Sequence, residues 1–307
     1  MTPTAIADDI VQPFELQPFR LRGRLVRLGP MLDTIVKRHD YPAPVAALLG
    51  EAIALAVALA SALKYDGVFT LQTKGNGAIR LLVADVTSAG AVRGYAQYDA
   101  GKLAEAMALP GQGSVPRLMG AGYLAFTVDQ GEDTERYQGI VALEGATLAD
   151  CVHHYFRQSE QIMTGIKVAV AQGEDGAWRG GCLMVQRLPA DERSEIVATR
   201  DEIEDGFRRA IILMGSSTSA ELTDAALAPE SLLYRLFHED GVRVFRVHGM
   251  RAECRCSRER IERVLRSLPS AERQDLGEAD GSVTVTCQFC NEAYRFEADA
   301  VSAIAAG

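Results

Sequence analysis

Cys254-Arg255-Cys256 and, thirty residues further on, Cys287-Gln288-Phe289-Cys290 carry four of the six cysteines of this 307-residue chain. Two close-spaced cysteine pairs in a short segment make a four-thiolate tetrahedral site, and its natural occupant is zinc. The C-x-x-C half has a common zinc-ligand spacing. The C-x-C half is less usual, because one intervening residue leaves little room for the standard turn. Cysteines that merely fill a core have no reason to come in pairs. A purely structural zinc ribbon is the competing reading. Against it, Cys287 and Cys290 can close a disulfide easily, and Cys254 and Cys256 only in a strained ring. Strained disulfides tend to be labile and regulatory.

Residues 251–307 form a segment small enough to lean on metal for its fold. A structural zinc site contributes about 10–16 kcal/mol of apparent binding free energy in zinc-finger peptides. Oxidising the thiolates would remove the ligands and so unfold the segment.

Working outward, the chain is 48% hydrophobic and 24% charged, an ordinary globular composition with room for two domains or one with an appendage. Its net charge of −9 is a poor starting point for nucleic-acid binding, which depends on neutralising phosphates. The start, MTPTAIADDIVQPF, has neither a basic opening nor an apolar run and does not read as a secretory signal. The longest apolar run, Ala52 to Leu63, is shorter than the roughly 20 residues that span a bilayer. These features predict a cytoplasmic protein with no membrane partner, in which cysteines stay reduced and serve as metal ligands or redox sensors.

Residues 1 to about 19 read as a polar lead-in. Leu21 to Leu28 alternates apolar and basic residues, which predicts a strand. Pro42 and Pro44 open a helix reaching about Lys64, apolar on nearly all sides and so buried. Strands at Val68–Thr73, Ala78–Val86 and Ala91–Tyr98 join through glycine turns. Tyr123–Val128 and Arg136–Leu143 form another pair. Thr147 caps a helix to Gln161 with Leu148, Cys151, Val152, Tyr155 and Phe156 on its apolar face. Ile166–Ala171 and Trp178–Arg187 make a last hairpin. Hairpins interleaved with helices predict an α+β fold with a largely antiparallel sheet.

After Pro189 the composition changes. Asp191 to Arg209 is dense in both charge signs and poor in large apolar residues, which predicts weakly buried helices of low local stability. Residues 190–250 read as a helical linker with a polar break at Gly215–Ser219; an ordinary exposed helix pair fits the composition equally well. The expected division is 1–189, 190–250 and 251–307. In the last part, Ser257 caps a helix carrying Ile261, Val264, Leu265 and Leu268 on one face, and Pro269 stops it. Strands through Val283 and Val285, and through Tyr294 and Phe296, place the C-x-x-C at a hairpin tip.

Other candidates are weaker. Cys151 and Cys182 read as small core residues. His153 and His154 point about 100° apart on a helix and make no metal pair. His248 is a spare ligand at most, since four thiolates complete a tetrahedron. His238-Glu239 does not continue to H-E-x-x-H, because the residue three beyond Glu239 is Val242. Gly75-x-Gly77, Gly111-x-Gly113 and Gly120-x-Gly122 lack the remainder of any nucleotide motif and read as turns, so no nucleotide is expected. No G-x-S-x-G or other nucleophile–base set is apparent, and no enzyme is expected. A zinc-ribbon nucleic-acid binder is disfavoured by eight basic against ten acidic residues in 251–307. A thiol–disulfide oxidoreductase would carry Cys287-x-x-Cys290 at a helix start after a strand, not between two strands.

Taken together, the chain resembles the heat-shock protein 33 family, the redox-regulated 33-kDa chaperonin of bacteria. The most specific match is Cys254-Arg255-Cys256-Ser257-Arg258-Glu259-Arg260, followed by Cys287-Gln288-Phe289-Cys290. Arg136–Val141, Tyr155–Gln161 and Leu236-Phe237-His238-Glu239 match as well, and the resemblance runs from about Leu21 to Phe296. It implies an ATP-independent holdase for unfolding client proteins. Its reduced form would hold one zinc per chain on Cys254, Cys256, Cys287 and Cys290 and be inactive. Four cysteines allow three connectivities; the resemblance implies Cys254–Cys256 and Cys287–Cys290 on oxidation. It further implies zinc loss, an unfolded C-terminal domain, a destabilised linker and homodimerisation.

Overall fold

A computed structural model describes residues 8–108, 115–131, 136–160, 162–187, 199–269, 272 and 275–301. The chain divides into two compact units, Met1–Ala252 and Glu253–Gly307. The first unit runs β1 (Ile10–Leu16), β2 (Leu21–Leu28), α1 (Pro30–Lys37), α2 (Ala43–Ala60), β3 (Val68–Gly75), β4 (Ile79–Thr87) and β5 (Ala91–Tyr98). It continues through α3 (Ala100–Ala108), α4 (Val115–Met119), β6 (Gly122–Asp129), β7 (Tyr137–Ala142), α5 (Leu148–Tyr155), β8 (Thr164–Gln172) and β9 (Trp178–Arg187). It ends with α6 (Arg200–Ser216), α7 (Ser219–Thr223), α8 (Pro229–Phe237), β10 (Val242–Val244), β11 (His248–Gly249) and β12 (Arg251–Ala252). The fold is α+β, with two six-stranded sheets ordered β10-β1-β2-β9-β8, β11 also pairing β1, and β12-β5-β4-β3-β6-β7. Every pairing is antiparallel except β12 with β5.

The apolar character of α2 on nearly every side is explained by its place: it packs on β2, β8 and β9 of one sheet and on β3, β4 and β5 of the other. By length and composition alone this helix could cross a membrane, but 78% of it is buried inside the fold, as a core helix requires. Gly75, Gly77, Gly120 and Gly122 bring two turns together backbone to backbone. A Cβ on Gly122 would meet the Lys74 carbonyl oxygen at 1.9 Å, and one on Gly75 the Met119 carbonyl oxygen at 2.2 Å. Close packing, and not phosphate binding, accounts for these glycines.

The lead-in reading of residues 1–19 needs correction. β1 lies inside the first sheet, paired to β2 along its length and to β10 and β11 on its other side. Phe14 and Leu16 are buried. Within this strand Pro13 donates no ladder hydrogen bond. It is tolerated because it falls between the β10 and β11 pairings, where its carbonyl accepts from the Phe245 backbone N–H at 3.0 Å. Helix α1, led by Gly29-Pro30, also had no counterpart in the sequence reading.

Residues 199–250 belong to the same compact unit as the sheets. Phe207, Ala210 and Met214 of α6, Leu222 of α7 and Leu232, Leu233, Leu236 and Phe237 of α8 form a second core with Phe14, Leu16, Leu21, Leu25, Leu183 and Val185 of the first sheet. Thr199 and Thr218 cap α6 and α7, each accepting from the backbone of a glutamate three residues on and each receiving that glutamate's carboxylate in return. Beneath the α7–α8 connection, the fully buried Arg27 donates to the carbonyls of Leu227, at 2.7 Å, and Asp224. Arg179 donates to the Thr223 carbonyl at 2.8 Å and pairs with Asp8 at 2.5 Å. Arg27 lies 3.8 Å from the same carboxylate. Two arginines from the sheet thus hold the backbone of this layer, with one aspartate offsetting their charge. Gln161, Pro189 and residues 190–198 lie outside the described residues.

The second unit contains α9 (Arg258–Ser267) and the hairpin β13 (Val283–Thr286) and β14 (Ala293–Phe296). Its core is small: Leu265, Val283 and Phe296 are buried, with Ile261, Leu268, Val285 and Tyr294 packed around them. Val264 had been placed on the apolar face of α9 but is 56% exposed, because only one narrow stripe of the helix meets the hairpin.

Candidate metal centre

The cluster is built from two local pieces. Cys254 and Cys256 lie in the extended chain that enters α9, just before Ser257, whose Oγ accepts from the Arg260 backbone N–H at 3.2 Å. Cys287 and Cys290 lie in the turn between β13 and β14. There the Asn291 N–H reaches the Cys287 carbonyl at 2.8 Å and the Cys287 N–H reaches Glu292 at 2.9 Å. Asn291 takes a left-handed φ of 60°, which asparagine tolerates better than most residues. Arg258 joins the two pieces: its guanidinium lies 4.5 Å from the Phe296 ring centroid and donates to the Arg295 carbonyl at 2.8 Å.

The four cysteine Sγ atoms all lie within 4.8 Å of one another. Cys254 and Cys287 are 3.7 Å apart, and Cys256 and Cys290 are 3.3 Å apart. All four are half-buried and carry no disulfide. Among the described residues they are the one group of three or more His, Cys, Asp or Glu side chains placed to hold a metal ion. Each half of the cluster thus meets the other, as a shared ion would require.

The electrostatics agree. Burial pushes the Cys256 thiol up, opposed by hydrogen bonds from Tyr294 and Cys290 and reinforced by Cys254 and Cys287. Cys290 is pushed up in the same way, burial first. Cys256 and Cys290 therefore resist ionising unless a cation shares the site. Tyr294 was not singled out by sequence: its Oη lies 3.2 Å from the Cys256 Sγ. Its position two residues before Phe296, on the strand leaving the C-x-x-C, was the available signal.

The remaining candidates lie elsewhere. Cys151 is buried on α5, where burial pushes its thiol up to about 11, and Cys182 is buried on β9. His153 and His154 are on α5, His238 follows α8, and His248 pairs with Val11 in the first unit.

The Hsp33 protein family model matches residues 9–297. The chain belongs to the Hsp33 family. It is 39% identical over 300 residues to the 33 kDa chaperonin of Caulobacter vibrioides (strain NA1000 / CB15N), covering 96% of each chain. It is likewise 39% identical to the 33 kDa chaperonin of Pseudomonas fluorescens (strain SBW25), covering 97% of this chain and 94% of that one. The crystal structure of the 33 kDa chaperonin (heat shock protein 33 homolog) from Thermotoga maritima superimposes with a TM-score of 0.80 over 97% of this chain and 98% of that chain, at 24% identity. That likeness supports the Hsp33 fold for this chain.

Proposed function

We propose that this member of the Hsp33 family is a redox-regulated, ATP-independent holdase of the cytoplasm that captures unfolding proteins under oxidative stress. The observation that carries the reading is the convergence of Cys254, Cys256, Cys287 and Cys290 to within 4.8 Å. Zinc–thiolate bonds of about 2.3 Å set a tetrahedral edge of about 3.8 Å; the Cys254–Cys287 pair, at 3.7 Å, matches that edge, and Cys256–Cys290, at 3.3 Å, is shorter than it. Zinc at this site would supply the positive charge that lets four thiolates share one small volume. It would also add folding free energy to a unit whose apolar core, among the described residues, is Leu265, Val283 and Phe296.

The cysteines are then ligand and sensor in one. A disulfide closes at about 2.05 Å, so any pairing draws two sulfurs off the tetrahedral edge. Each disulfide forms as two thiolates give up two electrons, which the oxidant, a peroxide or hypochlorous acid, accepts. The resemblance points to Cys254–Cys256 and Cys287–Cys290, the pairs within each motif. Once paired, the sulfurs no longer bind the ion, and the unit held by it unfolds.

The layer over the first sheet is the second part of the switch. In the division 1–189, 190–250 and 251–307, α6–α8 form the metastable linker. Their release would bare Phe14, Leu16, Leu21, Leu25, Leu183 and Val185, an apolar face suited to unfolded clients and to a second copy of the activated chain.

The test is peroxide treatment at elevated temperature, following zinc with a coloured chelator and aggregation of a thermally unfolding client without ATP. Release of one zinc per chain in step with holdase activity, reversed by a thiol reductant, is the expected result. Equal protection before and after oxidation, with zinc retained, would reduce the metal to a structural staple.

A further inference from the structure

Two of the sequence stretches quoted for the family resemblance, Arg136–Val141 and Tyr155–Gln161, contribute nothing to the cysteine cluster. They meet at a cavity of about 490 Å³ in the first unit, between the end of α2, strands β3, β6 and β7, and the turn that follows α5. That size falls within the ordinary range of small-ligand sites. Its walls include Phe69, Phe126, Tyr137, Tyr155 and Phe156. The Phe126 and Tyr155 ring centroids are 4.9 Å apart, and those of Tyr155 and Phe156 are 5.5 Å apart.

A polar cluster is set into these aromatic walls. Tyr155 Oη donates to Glu160 Oε1 at 2.7 Å, Tyr137 Oη donates to the same oxygen, and the two hydroxyls are 2.7 Å apart. The backbone builds this deliberately tight set in two ways. Phe156–Glu160 forms a π turn. In an α-helix residues five apart point about 140° away from each other, whereas the wider i→i+5 turn brings Glu160 back over Tyr155. Gly139 clears the space on β7: a Cβ there would lie 2.4 Å from the Tyr155 Oη.

The two hydroxyls and Glu160 Oε1 share three short contacts, and Glu160 Oε2 has no hydrogen-bond partner among the described residues. Glu160 thus keeps one carboxylate oxygen free of protein donors beside the cavity. Lys64 and Arg187 also line the cavity. Arg187 is engaged by Glu204 at 3.8 Å and by the Met163 sulfur at 3.5 Å, and Lys64 is on the exposed margin. An acceptor-rich carboxylate among aromatic faces is the arrangement that recognises organic cations.

We propose that this cavity binds a small organic cation, an ammonium or guanidinium group on a compact apolar body, with Glu160 as its charge partner and the aromatic rings as its walls. The site uses no residue of the cysteine cluster and stands independently of the redox reading.

The test is a fluorescence titration of the reduced full-length chain with dansylcadaverine, its N-acetylated neutral derivative, and the anionic dye 1-anilinonaphthalene-8-sulfonate. The cation should bind about tenfold more tightly than the neutral derivative, a charge-assisted preference. Glu160→Gln should remove that preference, and Ala62→Trp, placed in the cavity wall, should abolish binding of both dansyl probes. Should Glu160→Gln fail to fold, as judged by circular dichroism, Tyr137→Phe serves in its place; Tyr137 is 53% exposed, and losing its hydroxyl should weaken the cation about threefold. Equal affinity for charged and neutral probes, tighter binding of the anionic dye, or a preference unchanged by these variants would overturn the assignment.

Discussion

Single side chains already separate the roles in this protein. Substituting Cys287→Ser leaves three thiolates, so the metal bound per chain should fall well below one, measured by metal analysis after mild competition with a chelator. Tyr294→Phe keeps all four candidate ligands and removes only the hydroxyl 3.2 Å from Cys256. It should weaken metal retention by about tenfold, the usual scale for a partner of a ligand. Glu51 makes a different case, in the core helix α2. Burial pushes its carboxyl from 4.5 up to about 7. The native state then binds more protons than the unfolded chain between those values, so this residue lowers stability as pH rises from about 4.5 through 7. Glu51→Gln should raise the thermal midpoint at pH 8 by an amount equivalent to about 1–3 kcal/mol and leave it unchanged at pH 4. At this scale the four cysteines were legible because ligand spacing is local. Tyr294 was not, because a tyrosine on a strand signals packing until its hydroxyl is seen beside a sulfur.

Among the elements, α6, α7 and α8 are the group whose attachment matters. Their charged sequence suggested little burial, yet eight side chains from α6–α8 enter the second core. The arginines beneath them add a buried polar hold. Arg27→Met would strip donors from the carbonyls of Leu227 and Asp224 and leave Asp8 with Arg179 alone. Breaking a buried ionic contact of this kind costs about 3–5 kcal/mol. The expected outcome is faster amide hydrogen exchange across 199–237 in the reduced protein, with α2 still protected. Leu233→Ala, at a fully buried position, should loosen the same layer by about 2–5 kcal/mol. Unchanged exchange in both variants would show that the layer is held by other contacts. The hairpins and α2 followed from periodicity, since period and turn chemistry are properties of neighbouring residues. Strand β1 did not, because Pro13 is acceptable only in a gap created by two short strands more than 200 residues away in sequence.

In the molecule as a whole, stability is divided unevenly between the two units. The first has a large core spanning two sheets, and the second has, among the described residues, an apolar core of only Leu265, Val283 and Phe296 and a candidate metal centre. Removing metal with a strong chelator under reducing conditions should therefore lower the far-ultraviolet circular dichroism in part. The fluorescence of Trp178, the sole tryptophan, should stay as it was, since it is buried in the first unit. A parallel change in both signals would mean that the units unfold together. By itself the sequence determined the paired cysteines at a hairpin tip and a helix entrance, the burial of an Ala- and Leu-rich helix, and the alternation that makes antiparallel strands. All of these are set by residues within a turn or two of each other. The tertiary structure alone decided that the charged helices cover the first sheet, that β1 lies inside it, and that Tyr137, Tyr155 and Glu160 share one cavity. Those outcomes depend on contacts between segments distant in sequence, where the surface offered by the partner, and not the local pattern, sets what a side chain meets.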